Sequence, residues 1–315
     1  MTSQQPKIVL VSGGDAKYFD MLHELATSIR ALPESQNVDV VFLDGGGFEQ
    51  THIDAFSELN VSLLDPKWPN PQIQKRCANK EYLKINLAKP ALNTLFPSYD
   101  IIIWIDGDAW LQNWKAIDLA VMVAQKGKLA VVSQNTRFRS LRFNFKKKLF
   151  GWADIRTIFH KNAKRARLGE YAWKLANLAV LNAGFYALRQ DAPHWATWTA
   201  WRDKSIKKGR PFTSDQLSLA LTCYIDNFPF ETLPEICNYM GPWRVDENNR
   251  FVEIFAPYAE ASVIHMAGLD KWREDPKQYI SMVQADDTKK LCPIRYCEWI
   301  KTQKNINTEQ AKKAV

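Results

Sequence analysis

The sequence predicts an α/β fold in one large domain, with a mixed, mainly parallel sheet flanked by helices. Short apolar runs of strand length alternate with amphipathic, helix-length segments through the first third of the chain. With 315 residues, 46% of them hydrophobic and 24% charged, the composition is that of a globular protein able to bury a sizeable core. The alternating order predicts parallel strands joined by right-handed crossovers, with ligands binding at the carboxyl ends of the strands.

The individual elements follow from apolar periodicity and from the residues that interrupt it. Strands are predicted where an apolar run ends at glycine or a polar residue, and helices where apolar residues recur every three or four positions. Pro90 is expected to bend or divide one helix, and Ser214 to cap another. After residue 275 a polar pattern predicts a helical extension over 276–315. The predicted strands are 7–12, 38–43, 61–64, 101–105, 129–133, 178–188, 251–255 and 262–265, and the predicted helices are 19–29, 49–59, 80–95 and 214–224.

Several classes of protein are disfavoured by the same sequence. No apolar run approaches the roughly 18 residues that a membrane-spanning helix needs. The polar N-terminus lacks the pattern of a signal peptide, so a cytoplasmic location is expected. Five scattered cysteines without a CxxC pair argue against a disulfide framework and against a zinc site.

The positive charge is concentrated in one segment. The net charge is +8, but residues 137–167 hold eleven basic residues against the single acid Asp154, a local charge of +10. Phenylalanine and tryptophan are interleaved with these charges. Such a segment attracts a polyanion or an acidic membrane face, although a solvated surface gives the same pattern.

The strongest chemical signal is a pair of carboxylates at the end of a predicted buried strand. Asp106 and Asp108 follow the run Ile101–Ile105 and are separated by Gly107, which allows the backbone to bend. Two converging carboxylates repel each other unless a cation lies between them. Oxygen ligands favour Mg²⁺ or Mn²⁺, ions that also bind diphosphate oxygens. A polar turn that only ends the strand is the alternative interpretation.

An apolar strand ending in Asp-x-Asp, in a chain that begins with a strand–helix unit, resembles the GT-A glycosyltransferases. Three later stretches resemble motifs of glycosyltransferase family 8, which includes glycogenin and bacterial lipopolysaccharide galactosyl- and glucosyltransferases. They occur in the order of that family, and the resemblance covers roughly residues 7–275. The stretches are Leu181–Phe185 (LNAGF), Ser214–Leu217 (SDQL) and Val263–Trp272 (VIHMAGLDKW).

The resemblance implies a metal site and a diphosphate site. Asp106, Asp108 and His265 match the family's ligands for Mn²⁺ or Mg²⁺. Gly268 matches a glycine that brings backbone N–H groups close to the diphosphate. Lys271 matches a lysine that neutralises the departing phosphate, although the proline that follows this lysine in the family is absent here.

The resemblance also implies a site for the donor sugar. Asn182, Ala183 and Gly184 are expected to lie under this sugar, and Asp215 and Gln216 to face its reacting carbon. The family retains the anomeric configuration. Because an amide is a poor nucleophile, a front-face substitution is expected, with the acceptor hydroxyl hydrogen-bonded to the departing phosphate.

Further positions match the nucleotide site of the family. Asp15 and Tyr18, in the first strand–helix turn, match residues that hold the base, although Ala16 replaces one of the usual acids. A UDP-sugar is therefore the expected donor. Lys89 is expected to form an ion pair with Asp215.

The basic segment suggests the acceptor. It lies between the Asp-x-Asp motif and the Asn-Ala-Gly motif, where the family places elements that bind acceptors. A neutral acceptor would not need this charge, so we expect an anionic glycan, such as lipopolysaccharide core or another lipid-linked glycan, at an anionic cytoplasmic membrane surface. Residues 1–110 would form the nucleotide-binding half of a catalytic domain over 1–275, and residues 111–275 its acceptor-binding half.

Other interpretations of the sequence remain. An inverting GT-A transferase of another family would use Asp215 as general base. A nucleic-acid-binding or membrane-surface protein without catalysis would explain the basic segment, but no nucleic-acid-binding motif is present and nucleic acid is not an expected partner. Among the tryptophans, Trp110, Trp243 and Trp272 are candidates for stacking on acceptor sugars, whereas Trp195, Trp198 and Trp201 are expected to pack.

Overall fold

The computed structural model describes residues 5–78, 80–135 and 158–313, with the side chains of 305–313 left aside. Most of the basic segment, residues 137–157, lies outside this part of the chain. No helix among the described residues is long and apolar enough to cross a membrane.

Thirteen strands lie within the described ranges, and seven of them form the central sheet. They are β1 (Ile8–Gly14), β2 (Asp39–Asp44), β3 (Val61–Leu64), β4 (Ile101–Ile105), β5 (Ala109–Leu111), β6 (Leu129–Ser133), β7 (Leu181–Arg189), β8 (Phe230–Leu233), β9 (Arg244–Val245), β10 (Phe251–Val252), β11 (Val263–His265), β12 (Tyr279–Val283) and β13 (Lys289–Pro293). The central sheet has the order β3-β2-β1-β4-β7-β6-β8. Only β7 runs antiparallel to its neighbours β4 and β6, which confirms a mixed, mainly parallel sheet.

Helices cover both faces of this sheet. They are α1 (Phe19–Arg30), α2 (Gln50–Glu58), α3 (Pro71–Arg76), α4 (Leu83–Ala88), α5 (Leu92–Leu95), α6 (Lys115–Gln125), α7 (Ile158–Arg165), α8 (Gly169–Lys174), α9 (His194–Ile206), α10 (Ser214–Tyr224), α11 (Asp270–Glu274) and α12 (Tyr296–Lys313). Buried side chains of α1, α2 and α6 pack on one face, and those of α4, α5, α9 and α10 on the other. All five residues of β4 are buried, as expected for a central strand covered on both faces.

One local prediction, the division of a helix at Pro90, is confirmed, and another, the cap at Ser214, is wrong. The helix predicted over 80–95 is divided into α4 and α5 by a 3-10 turn at Lys89–Ala91, because Pro90 has no N–H to continue the α-helical hydrogen bonding. Ser214 does not cap α10: it is the first helical residue, and its hydroxyl donates to Pro211 O at 2.7 Å.

The prediction of a purely helical segment after residue 275 is wrong. The segment begins with the antiparallel pair β12 and β13, and only then continues into α12. These strands extend β9 and β10 into a second, four-stranded sheet. Met282 is fully buried there in a cluster that includes Trp243, so tertiary packing outweighs the polar local pattern.

The same cluster corrects two assignments of tryptophan. Trp110 and Trp243 are 2% and 6% exposed and pack edge-on against Phe251, so neither ring offers a face to an acceptor sugar. Trp195 and Trp198 are buried and stacked at 5.8 Å, which agrees with the packing role predicted for them.

Candidate active site

Asp106 and Asp108 leave the carboxyl end of β4 in a tight turn. Ala109 N donates to Asp106 O at 3.1 Å, and β5 begins at Ala109. A Cβ atom at Gly107 would lie 2.9 Å from Leu22 Cδ2 and 3.1 Å from Gly13 O. The turn therefore needs glycine at position 107, and it brings both carboxylates to one edge of the sheet.

His265 reaches this edge through a separate two-stranded sheet. β11 pairs antiparallel with β5, which places His265 opposite Ala109. Its Nε2 lies 3.1 Å from Asp108 Oδ1 and 3.9 Å from Asp106 Oδ2. One ligand atom from each of Asp106, Asp108 and His265 lies within 4.8 Å of the other two, so the three predicted metal ligands converge.

The imidazole is held by a residue that the sequence did not indicate. His265 Nδ1 lies 2.8 Å from the amide oxygen of Asn238, a buried residue of the 3-10 turn Glu235–Asn238. With Nδ1 donating to this oxygen, Nε2 is directed at the two carboxylates. Asn238 stands in no recognisable motif, and only the fold brings it to His265.

These contacts also set the charges on the Asp108 side. Burial opposes ionisation of Asp108, but His265 and the Arg273 guanidinium outweigh it and hold the pKa of this carboxyl well below its usual range. Burial likewise opposes protonation of His265, but Asp108 and Asp106 raise the pKa of this imidazole.

The three side chains fit a divalent cation by their donor chemistry. Asp106 Oδ1 is occupied by Lys89, and Asp108 Oδ2 by Arg273. The remaining oxygen of each carboxylate faces His265 Nε2. Two carboxylate oxygens and one imidazole nitrogen suit Mn²⁺, and the carboxylates also suit Mg²⁺.

Lys89 forms the ion pair predicted for it and a second, closer one. Its buried Nζ lies 3.5 Å from Asp215 Oδ2 and 2.7 Å from Asp106 Oδ1. It also donates to Ala183 O at 3.3 Å. Burial disfavours the ammonium, but Asp106 and Asp215 outweigh it and raise the pKa of Lys89. Burial also raises the pKa of Asp215, an effect that Lys89 only partly offsets.

The Asn-Ala-Gly stretch of β7 lies directly against the carboxylates. Asp106 N donates to Gly184 O at 2.7 Å, and Asn182 Oδ1 accepts from Gly184 N at 2.7 Å. A Cβ atom at Gly184 would lie 2.7 Å from both Asp106 Oδ2 and His265 Cε1. The approach of the carboxylate to the imidazole therefore requires glycine at this position.

The start of α10 closes the other side of the site. Asp215 is buried, and its backbone oxygen accepts from Trp198 Nε1 at 3.0 Å. Gln216 Nε2 donates to Leu181 O at 2.9 Å, which ties the predicted Asp-Gln pair to β7.

Comparison with solved structures establishes the fold. An active-site mutant of LgtC is similar with a TM-score of 0.50 and 12% identity, over 82% of this chain and 87% of that chain. The chain has the GT-A fold. Also similar are the bifunctional glycosyltransferase WbbM (TM-score 0.48, 16% identity, 85% of this chain and 47% of that one) and mouse xyloside xylosyltransferase 1 (TM-score 0.48, 10% identity, 83% and 98%). The chain thus spans about half the length of WbbM. No family model matches the sequence, and no curated protein is similar to it.

In this GT-A fold, the first strand–helix turn lies near the carboxylates. Asp15 Oδ1 accepts from Lys17 N at 3.1 Å and so caps the 3-10 turn that contains Tyr18. Burial raises the pKa of Tyr18, and the nearby Asp108 adds to this effect while Arg273 opposes it. Tyr18, one of the two residues predicted to hold the base, therefore lies within electrostatic range of Asp108.

The loop after β11 differs most from the sequence prediction. Lys271 is exposed and makes no ion pair with another described residue. The cation that reaches the site is Arg273, whose Nη1 lies 2.6 Å from Asp108 Oδ2 and which also pairs with Asp270. Gly268 is exposed with a φ of +76°, a conformation that favours glycine. The motif directed attention to Lys271, and nothing in the spacing singled out Arg273.

Proposed function

We propose that the protein is a metal-dependent glycosyltransferase, which moves a hexose from a nucleoside diphosphate sugar, a UDP-sugar, to a glycan. The observation that carries this proposal is the convergence of Asp106, Asp108 and His265 at the carboxyl end of β4 in a GT-A fold. In open α/β sheets, ligands bind at this edge. The Lys89–Asp215 pair beside it supplies the fixed charges that a sugar-transfer site needs.

On the donor side, the chain provides ligands and positive charge. Asp106, Asp108 and His265 would hold Mn²⁺ or Mg²⁺, which as a Lewis acid stabilises the departing diphosphate. Gly268 and Lys271 are proposed to contact the phosphates. Residues 1–110, including Asp15 and Tyr18 as the base site, are proposed as the donor half of the catalytic domain.

On the sugar side, β7 and α10 are proposed to enclose the reacting ring. Asn182, Ala183 and Gly184 would form its floor. Because Gln216 Nε2 is bound to Leu181 O, its amide oxygen is the atom left to face the sugar. An amide oxygen is a weak nucleophile, which supports front-face substitution with retention. The acceptor oxygen then bonds to the anomeric carbon as the phosphate oxygen leaves, and the acceptor proton passes to that phosphate.

Inversion with Asp215 as general base is the second candidate. Its raised pKa suits a base, but Asp215 is only 6% exposed and Lys89 lies 3.5 Å from one of its oxygens. Both features favour a positioning role. Proton NMR of the first product formed distinguishes the two: an anomeric configuration equal to that of the donor supports retention, and the opposite configuration identifies inversion.

We further propose that the acceptor is an anionic, lipid-linked glycan at a cytoplasmic membrane surface. The half of the catalytic domain formed by residues 111–275 would bind it. Four basic residues of the segment belong to the described part, and all are exposed: Lys161, Lys164, Arg165 and Arg167. Lys164 Nζ lies 5.4 Å from the ring of Trp173, which is 59% exposed. Each basic residue near an anionic surface contributes about 1 kcal/mol, so this cluster supports peripheral binding.

A variant with these four residues changed to Ser tests the acceptor proposal. Sedimentation with anionic liposomes should fall, and the wild-type binding should weaken with salt, because exposed charges are screened within about 10 Å at 0.1 M. Donor hydrolysis should be unchanged. Equal sedimentation of variant and wild type would contradict the proposal.

The activity itself is tested by donor hydrolysis. The protein is incubated with UDP-glucose, UDP-galactose, UDP-N-acetylglucosamine and UDP-xylose, with Mn²⁺ or with EDTA, and released UDP is measured. We expect release from one of these donors only when the cation is present. No release from any of them, together with no thermal stabilisation by UDP plus Mn²⁺, would contradict the proposed function.

A further inference from the structure

A cavity lies at the carboxyl end of β3, outside the Asp106 site. Its volume is about 400 Å³, within the range of pockets that bind small molecules. Its lining combines one aromatic ring, two side-chain amides and four charged groups. The lining residues include Asp65, Lys67, Trp68, Asn70, Gln74, Glu81 and Lys84.

The walls of this cavity are fixed by contacts made elsewhere in the fold. Asn70 Oδ1 accepts from Ile73 N at 2.9 Å and so caps α3. Trp68 packs against the buried cluster that includes Leu83. Lys84, only 8% exposed, holds Asp65 Oδ1 at 2.5 Å. The cavity is therefore largely formed before any ligand binds, which lowers the cost of binding.

The charges of the cavity select against an ionic ligand. The carboxylates of Asp65 and Glu81 balance the ammonium groups of Lys67 and Lys84. Three of these groups are already paired, since both lysines bind Asp65. A phosphate or a nucleic acid would find no net positive charge here. A neutral ligand rich in hydroxyl groups suits this lining, because the amides donate and accept hydrogen bonds and the carboxylates accept them.

The aromatic ring narrows the class of ligand to a sugar. The Trp68 indole N–H points to Glu81 Oε2 at 3.3 Å, which fixes the plane of the ring. The electron-rich face of an indole attracts the C–H bonds on the apolar face of a pyranose. A ring face surrounded by amides and carboxylates suits both parts of a sugar, its C–H face and its hydroxyl groups.

The cavity is close enough to the candidate active site to take part of the same substrate. Lys84 of α4 lines the cavity, and Lys89, in the 3-10 turn that follows α4, contacts Asp106 and Asp215. β3 lies three strands from β4 in the central sheet, so with neighbouring strands about 4.8 Å apart the carboxyl ends of the two strands are roughly 14 Å apart, a distance that about three sugar rings bridge. We propose that this cavity binds a neutral pyranose of the acceptor glycan, away from the sugar that is glycosylated, so that the acceptor site extends from residues 111–275 into the residues 1–110 half. The assignment of this sugar to the acceptor rests on the proposed function, whereas the assignment of a sugar to the cavity rests on the cavity alone.

The Trp68 indole N–H provides a direct probe. In a two-dimensional ¹H–¹⁵N spectrum, its resonance is assigned by its loss in Trp68→Phe. The full-length protein, without metal or donor, is titrated with the methyl glycosides of glucose, galactose, mannose and N-acetylglucosamine. We expect at least one to shift this resonance saturably at millimolar concentration. No shift with any of the four would overturn the proposal, and so would a shift produced by UMP alone, which would assign the cavity to the donor nucleotide.

A matched pair of variants separates binding from folding. Gln74→Ala removes an exposed amide that lines the cavity, whereas Gln72→Ala removes an exposed amide of the same helix that does not. The dissociation constant of the binding sugar should rise about fivefold in the first variant, the effect of one hydrogen bond, and stay unchanged in the second. Equal constants in the two variants would overturn the assignment. Because neither titration involves a donor, failure here leaves UDP-sugar hydrolysis to be judged separately.

Discussion

The two carboxylates of the Asp-x-Asp motif are two residues apart, yet different parts of the molecule hold them. Asp106 is held by the central sheet and its helices. Lys89 and Trp104 Nε1 both lie 2.7 Å from its Oδ1, and Gly184 O accepts from its backbone N–H. Every one of these contacts comes from β4, β7 or the turn after α4.

Asp108 is held by the C-terminal part of the chain. His265 and Arg273 contact its two oxygens. Arg273 is in turn fixed by its backbone oxygen, which accepts from Arg295 Nη1 at 2.6 Å. Arg295 forms a buried, bidentate ion pair with Glu24 of α1. The comparison teaches that half of the site depends on residues beyond 260, so the C-terminal segment is part of its construction.

The largest expected effect comes from the motif itself. Asp108→Asn should lower the rate of donor hydrolysis more than about a hundredfold, because an amide replaces a charged ligand. Asp118→Asn, an exposed change on α6, is the matched control and should hydrolyse donor like wild type. Circular dichroism should show both folded. A rate above half that of wild type at limiting Mn²⁺ in Asp108→Asn would remove the metal-site assignment.

Gly184→Ala disturbs the geometry around the Asp106 carboxylate without changing any charge. The new methyl group would lie 2.7 Å from Asp106 Oδ2 and His265 Cε1, so one of these side chains must move. Since displacements of about 1 Å cost up to about a hundredfold in rate, we expect a loss of at least about tenfold. The measurement is hydrolysis at saturating donor. An unchanged rate would show that Gly184 does not set the geometry of the carboxylate.

Arg295→Met tests the support that the C-terminal segment gives to Asp108 through Arg273. Removing one partner of a buried ion pair costs about 3 kcal/mol, because Glu24 is left uncompensated. Urea unfolding measures the loss. Lys301→Met, which removes an exposed pair with Glu298, is the control and should unfold like wild type. If Arg295→Met were equally stable, the C-terminal segment would not support Asp108 as described.

The smallest expected effect distinguishes two cationic residues: Lys271, which the motif indicates, and Arg273, which the structure brings to Asp108. Arg273→Ala should raise the Mn²⁺ concentration that gives half-maximal hydrolysis by about tenfold, the typical cost of losing a contact to a ligating carboxylate. Lys271→Ala should leave this concentration unchanged, and act, if at all, on the KM for the donor. If Lys271→Ala raised this Mn²⁺ concentration and Arg273→Ala did not, Lys271 would be the cationic residue that supports the metal site.

The sequence predicted the parts of the site that lie on regular elements. Asp106 directly follows the apolar strand β4, Asp108 lies two residues further on, and His265 ends β11, so apolar patterning makes these positions recognisable. The meeting of Lys89 and Asp215 was predicted only from the resemblance to the family, since no local pattern brings the turn after α4 to the start of α10. Asn238 and Arg273 were missed because one lies in a 3-10 turn and the other in a short helix, where local patterns do not fix side-chain direction. The hairpin of β12 and β13 was missed because most of its residues are exposed, and the buried cluster on which Met282 packs includes residues from distant parts of the chain.

The most direct test of the metal centre is Mn²⁺ binding followed by electron paramagnetic resonance, with and without UDP. The account predicts one Mn²⁺ bound per chain in the presence of UDP, markedly weaker binding in His265→Ala, and none in Asp108→Asn at the same concentrations. Wild type that binds no Mn²⁺ with UDP, or an affinity that neither variant changes, would contradict the assignment of Asp106, Asp108 and His265 as a metal site.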